Sequence, residues 1–185
     1  MRPAAWSELQ ESRSLPIATC VVLGLTAALT LLQIVVSKIR LDLWRDEQLL
    51  NSGELWRLVT PLLIQYDAVG NAVVVLFLIA VVGTAVERVY ESSRWLVIYV
   101  ICGVIGQACG YLWAPPDAGA SVAGAGLLGA LCAWMLMPRT RTPLPPRVGA
   151  VLILLGGVAL TAVRDMHGPP LLAGCALGVG LYTRT

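Results

Sequence analysis

An all-α membrane protein of six transmembrane helices is the fold class that this sequence predicts, and three observations predict it. The mean hydropathy is +0.77, with 57% hydrophobic and only 13% charged residues, a balance foreign to a water-soluble domain. The charges are bunched, leaving uncharged windows at 14–37, 68–86, 95–116, 118–138, 148–163 and 166–183, of 24, 19, 22, 21, 16 and 18 residues. A helix needs about 20 residues to cross the hydrocarbon core, so six spans follow, the last two short. The charges are also sided. With six spans, one side holds eight basic and four acidic residues, and the other holds five basic and seven acidic. The positive-inside rule places the first side, with both termini, in the cytoplasm.

Taken in order, residues 1–14 read as a polar cytoplasmic tail and residues 15–185 as one six-helix domain. The tail is polar and the first apolar run is full length, which predicts a retained anchor rather than a cleaved leader. The first helix is expected over about 15–37. The stretch 38–67 then mixes Trp44, Leu49, Leu50, Leu55, Trp56 and Leu58 with charges, a composition suited to the outer headgroup layer. A connection this long is itself a functional signal. Helices are expected at about 68–87, 95–113, 121–137, 148–163 and 169–182, with "RTRTPLPPR" a proline-broken cytoplasmic turn. The fourth and sixth are small-residue helices, with Gly124, Gly126 and Gly129 in one and Ala173, Gly174, Gly178 and Gly180 in the other. Small residues let backbones approach closely in lipid.

Several function classes drop out. A net charge of +2 with no basic run longer than "RTR" gives no reason to expect nucleic acid as a partner. Five cysteines, all within apolar windows and none at CxxC spacing, read as packing residues, and with one histidine neither metal nor cofactor is expected. Asn71, Gln107 and a few hydroxyls are the main polar groups in the spans, which gives little support to an ion path.

Topology pairs two residues. Ser121 starts the fourth helix and His167 precedes the sixth; both helices run outside to inside, so serine and histidine share one membrane depth. A serine hydroxyl needs a base to become a nucleophile, and a neighbouring imidazole is the usual one. Water reaches the outer side, where both lie. Taken alone, Ser121 reads equally as the N-cap of its helix and Asn71 as an interhelical hydrogen-bonding group, while His167 reads more readily as an interfacial polar residue than as a base.

Four motifs in order carry a family resemblance. "GASVAGAGLLGA" and "HGPPLLAGCALG" resemble the serine and histidine helices of the rhomboid intramembrane serine proteases, "ELWRLVTPLL" resembles their first-loop Trp-Arg segment, and "GTAVERVYESSRWLVIYV" resembles their Gly-x-x-x-Glu-Arg turn. The resemblance covers about residues 54–180. It implies a rhomboid-like bundle with Ser121 as nucleophile and His167 as general base, without a third acidic member. It also implies cleavage of single-pass or polytopic membrane-protein substrates in or near their transmembrane segments. The implied oxyanion donors are the Ser121 backbone N–H and polar side chains on helix two, where Asn71 and Val75 stand in place of the usual His and Asn. Further departures are Val122 after the serine, where it would narrow the approach, Ala125, and Pro169 and Pro170 after the histidine. They support an alternative, a catalytically silent rhomboid-like protein that binds transmembrane helices or assists membrane-complex assembly. The bacterial inner or plasma membrane is the expected location; the residues leave the oligomeric state open.

Overall fold

The computed structural model describes residues 15–66, 70–113 and 117–182. The expected tail at 1–14 lies outside the described residues. Helix α1 spans Ile17–Val35, followed by α2 (Ser37–Leu43) and α3 (Glu47–Asn51) within the first loop. The Asp46 carboxylate starts α3 by accepting the Leu49 N–H at 3.1 Å, satisfying one of the amides a helix start leaves without a partner. Two short 3₁₀ turns, Leu55–Leu58 and Thr60–Leu63, complete the loop.

Helix α4 (Gly70–Leu78) passes through a π-helical turn at Ile79–Gly83 into α5 (Thr84–Trp113). The expected break at 88–94 is narrower than its charges suggest. Helical backbone runs on both sides of Glu91, which alone departs from it, at φ 66° and ψ 161°. A positive φ is uncommon outside glycine, so one residue absorbs the change of direction. After it come α6 (Ser121–Leu136), α7 (Leu144–Ala162) and α8 (Gly168–Tyr182). Three stretches, Ile17–Val35, Gly70–Trp113 and Leu144–Ala162, are long and apolar enough to cross a membrane; Ser121–Leu136 and Gly168–Tyr182 are apolar but shorter.

Helix α6 is the centre of the bundle. Of its 16 residues all but Ser121, Leu128, Met135 and Leu136 are buried, and it packs against α5, α7 and α8. Glycines decide how close the partners come. A Cβ on Gly129 would overlap the Leu171 carbonyl of α8, and one on Gly174 would overlap the Gly126 carbonyl of α6. On the other side Cys102 of α5 occupies the space a Gly126 side chain would need. Between helices in lipid, dispersion contacts of this kind replace the hydrophobic effect as the attractive force.

Several polar groups inside the bundle tie its elements together. Trp95 stacks on Tyr99 with ring centroids 5.0 Å apart, and its Nε1 donates to the Gly83 carbonyl at 3.0 Å. The Tyr99 hydroxyl donates to Leu62 O at 3.0 Å, and that of Tyr90 to Ala130 O at 3.1 Å. Glu87 accepts the Ala18 and Thr19 amides at 2.8 Å each and the Ser92 hydroxyl at 2.6 Å. It thereby caps the start of α1, a helix whose own preceding residue is Pro16 and offers no cap.

Candidate active site

The glycine contacts between α6 and α8 bring the first residue of one helix beside the residue preceding the other. Ser121 Oγ and His167 Nε2 lie 2.9 Å apart. Ser121 is the first helical residue of α6, one position beyond the cap, which is Ala120 and makes no side-chain capping bond. The expected capping role is therefore not the one its hydroxyl plays: the oxygen points to the imidazole. His167 Nδ1 lies 2.8 Å from Asp165 Oδ1, and the His167 backbone N–H donates to the same oxygen at 2.8 Å. Both side chains are partly exposed, His167 at 34% and Asp165 at 42%. Burial works to raise the Asp165 carboxyl, but the hydrogen bonds from the His167 amide and ring, with the attraction of the imidazole, outweigh it and hold the group below its ordinary value. The resemblance implied a pair without an acid; in the fold an acid stands on the far ring nitrogen.

The joint that holds His167 is stiff for local reasons. Helix α7 ends in bonds from Arg164 N to Thr161 O (3.1 Å) and from Asp165 N to Leu160 O (2.9 Å), with Arg164 at φ 61°. Gly168 follows because the chain there touches the Thr161 amide and the Gly157 carbonyl, leaving no room for a Cβ. Pro169 and Pro170, departures from the family pattern, occupy the first turn of α8, where an amide hydrogen has no intrahelical partner to lose.

The segment before Ser121 is pinned by the first loop. The Gly119 N–H donates to Pro61 O at 3.0 Å, the Tyr66 N–H to Ala118 O at 3.0 Å, and the Arg45 N–H to Asp117 O at 2.9 Å. Arg45 is only 1% exposed; its Nη1 donates to Gln107 Oε1 at 2.7 Å, and Gln107 Nε2 donates to Gly119 O at 3.3 Å. Burial pushes the Arg45 guanidinium down from its ordinary value, while the Asp117 carboxylate works in the opposite direction. The same Nη1 lies 3.8 Å from Met166 Sδ, so one arginine touches both the serine loop's support and the histidine loop. Arg57 ties the loop to itself through Glu54 (2.6 Å), Leu41 O (3.2 Å) and Trp44 O (3.0 Å), whereas Trp56 is exposed.

The remaining sequence candidates sit elsewhere. Val122 does not narrow the approach to Ser121. It is fully buried on the α5 side, in the space left by Gly106, where a Cβ would meet its own Cβ. Val75 is buried in the core and Ala125 within α6. Asn71 is exposed near the start of α4, and no hydrogen bond joins it to Ser121 or His167. Sequence reasoning missed Gln65. It is 0% exposed, and neither amide atom has a hydrogen-bond partner among the described residues. A Cβ placed on Gly119 would lie 3.4 Å from Ser121 Oγ, 3.5 Å from Gln65 Oε1 and 3.9 Å from Ser121 N, so the serine and the amide border one small space. A polar residue just before an apolar window was a signal, but only the fold says which way it turns.

Among the described residues no group of three or more His, Cys, Asp or Glu could hold a metal ion. A base-activated serine is the chemistry this arrangement can perform. The family model of the rhomboid domain matches residues 52–182. Over 88 residues, 47% of this chain, the sequence is 43% identical to the protein named "Rhomboid protease GluP" of Bacillus subtilis (strain 168). The match spans 17% of that relative's length. With a domain match over most of its length and apolar helices in a bundle, this chain is an integral membrane protein and belongs to the rhomboid family.

Proposed function

We propose that the chain is an intramembrane serine endopeptidase that cleaves transmembrane segments of single-pass or polytopic membrane proteins, with Ser121 as nucleophile and His167 as general base. The observation that carries this reading is the 2.9 Å separation of Ser121 Oγ and His167 Nε2. At that distance the hydroxyl proton passes to Nε2 as Oγ bonds to the scissile carbonyl carbon, and Nε2–H then protonates the leaving amine as the C–N bond breaks. Water repeats the cycle on the acyl-enzyme, delivering its proton to His167 and releasing Ser121. The negative oxygen of each tetrahedral intermediate needs donors. The Ser121 N–H, at the start of α6, has no partner within its own helix and carries the positive end of the helix dipole. Asn71 is a second candidate donor from the α4 side, and the buried Gln65 amide is a third, provided its Nε2 rather than Oε1 turns to the space beside Gly119.

Six crossings, with the connections at 87–94 and 139–147 and both termini in the cytoplasm of a bacterial cell, put the pair near the outer surface, where water has access. Labelling with a fluorophosphonate tests the reading, because phosphorus is attacked by the same activated oxygen with loss of fluoride. Wild type is expected to label and Ser121→Ala and His167→Ala to lose labelling. Equal labelling of all three sinks the protease reading and leaves the helix-binding, non-catalytic alternative.

A further inference from the structure

We infer that Asp165 is a positioning residue for His167, fixing which ring nitrogen carries the proton so that the other faces Ser121 as an acceptor. A carboxylate can only accept hydrogen bonds, and Asp165 Oδ1 stands 2.8 Å from Nδ1, so Nδ1 bears the hydrogen. Nε2, 2.9 Å from Ser121 Oγ, is then left with its lone pair, the form a general base requires. Were the tautomer reversed, Nδ1 and Oδ1 would set two lone pairs against each other and Nε2–H would point at the hydroxyl it should deprotonate. The carboxylate also steadies the imidazolium formed when the serine proton arrives, and its lowered pKa keeps it ionised for that purpose.

A simpler account makes Asp165 a turn residue, since its side chain accepts the amide two residues on, as in an Asx turn. That account explains the backbone contact but not the ring. In the structure one oxygen does both: Oδ1 takes the His167 N–H and Nδ1 together. Asp165 is itself fixed to the end of α7 through Leu160 O, whereas His167 leads into α8, with its carbonyl accepting the Leu171 N–H at 3.3 Å. The imidazole is thus referenced to α7, and the hydroxyl it serves belongs to α6.

The role in catalysis rests on the serine-protease reading; the tautomer does not, and the chain's single histidine lets the two be measured apart. In protein carrying [¹⁵N]histidine, the two ring-nitrogen shifts report one residue without assignment. Wild type is expected to show protonated Nδ1 and bare Nε2, and Asp165→Ala a mixture of both tautomers. Fluorophosphonate labelling is followed in the same samples. In Asp165→Ala the limiting rate is expected to fall about 10–100-fold with probe affinity unchanged, less than the roughly 10⁴-fold seen for a buried triad aspartate because this one is half-exposed. Asp165→Asn keeps an oxygen for the His167 amide, and so preserves the turn; its amide N–H can donate to Nδ1 and reverse the tautomer, so labelling should fall at least as far as in Asp165→Ala. A wild-type histidine protonated on Nε2, or both variants matching wild type in shifts and labelling rate, overturns the inference. A wild type that never labels removes the protease reading instead, and the shifts still decide for or against Asp165 as the group that sets the tautomer.

Discussion

Helices α6 and α7 are both largely apolar, yet they live in different surroundings. In α6, twelve of 16 residues are buried, whereas in α7 only Ala150 and Gly157 of 19 are. Leu152, Leu155 and Val158 of α7 are more than half exposed, a state that would be costly in water and is neutral against lipid tails. What separates the two helices is where their small residues face, since two of the three glycines of α7, Gly149 and Gly156, open on empty space. Gly124, Gly126 and Gly129 let α6 accept a neighbour on every side, while the bulky residues of α7 keep all but one edge in lipid. The reactive serine is carried by the buried helix, so its position is fixed by surrounding backbone. Helix α7 reaches the site only through the joint at its end.

The contrast can be broken most severely at its closest contact. Gly174→Ala puts a methyl group into the Gly126 carbonyl, where backbone must move, and is expected to destabilise the bundle by about 3 kcal/mol or more. Thermal unfolding in detergent micelles measures this, and a melting point within a degree of wild type would refute the packing account. Arg45→Met should cost somewhat less. It leaves Gln107 Oε1 without its 2.7 Å donor inside the fold, a loss of about 1–3 kcal/mol. It should also slow fluorophosphonate labelling, because the Gly119 segment loses its support. Gln65→Leu separates site from scaffold. The amide makes no hydrogen bond among the described residues, so stability should hold or rise, while labelling falls about 10²-fold if the amide serves the oxyanion. Unchanged labelling would leave that role to the Ser121 amide and Asn71. The smallest effect has the opposite sign. Gly156 of α7 has open space where its Cβ would be, so Gly156→Ala should stabilise the protein by about 0.5–1 kcal/mol, a small upward shift in melting temperature. One glycine-to-alanine change against the α6 backbone and one on α7 thus test the comparison directly.

Much of this was legible in the sequence. The gaps between charges located the apolar helices, and the small-residue stripes marked the two that pack most tightly. Ser121 and His167 were matched because alternating direction brings their ends to one side. Other positions were not legible, for one physical reason: successive residues on a helix point about 100° apart, and sequence does not say which direction meets a neighbour. Val122 follows the serine yet faces Gly106 of α5, so its bulk never meets the reactive hydroxyl. Asn71 fell at the family's expected spacing and lies on an exposed face. Asp165 was counted only as one more outer-side charge, because its link to Nδ1 depends on how tightly the α7–α8 joint turns.

By itself, then, the sequence determined the solvent of this protein, its helical segments and the end of the bundle where a serine and a histidine lie. Those follow from residue-by-residue preferences for hydrocarbon or water, which sum along the chain without knowledge of contacts. The tertiary structure alone decided which helix became the core, that Arg45 and the first loop hold the serine segment, and that Asp165 stands behind the histidine. These depend on helix rotation and on approach distances set by single missing methyl groups, quantities that exist only once the helices have packed.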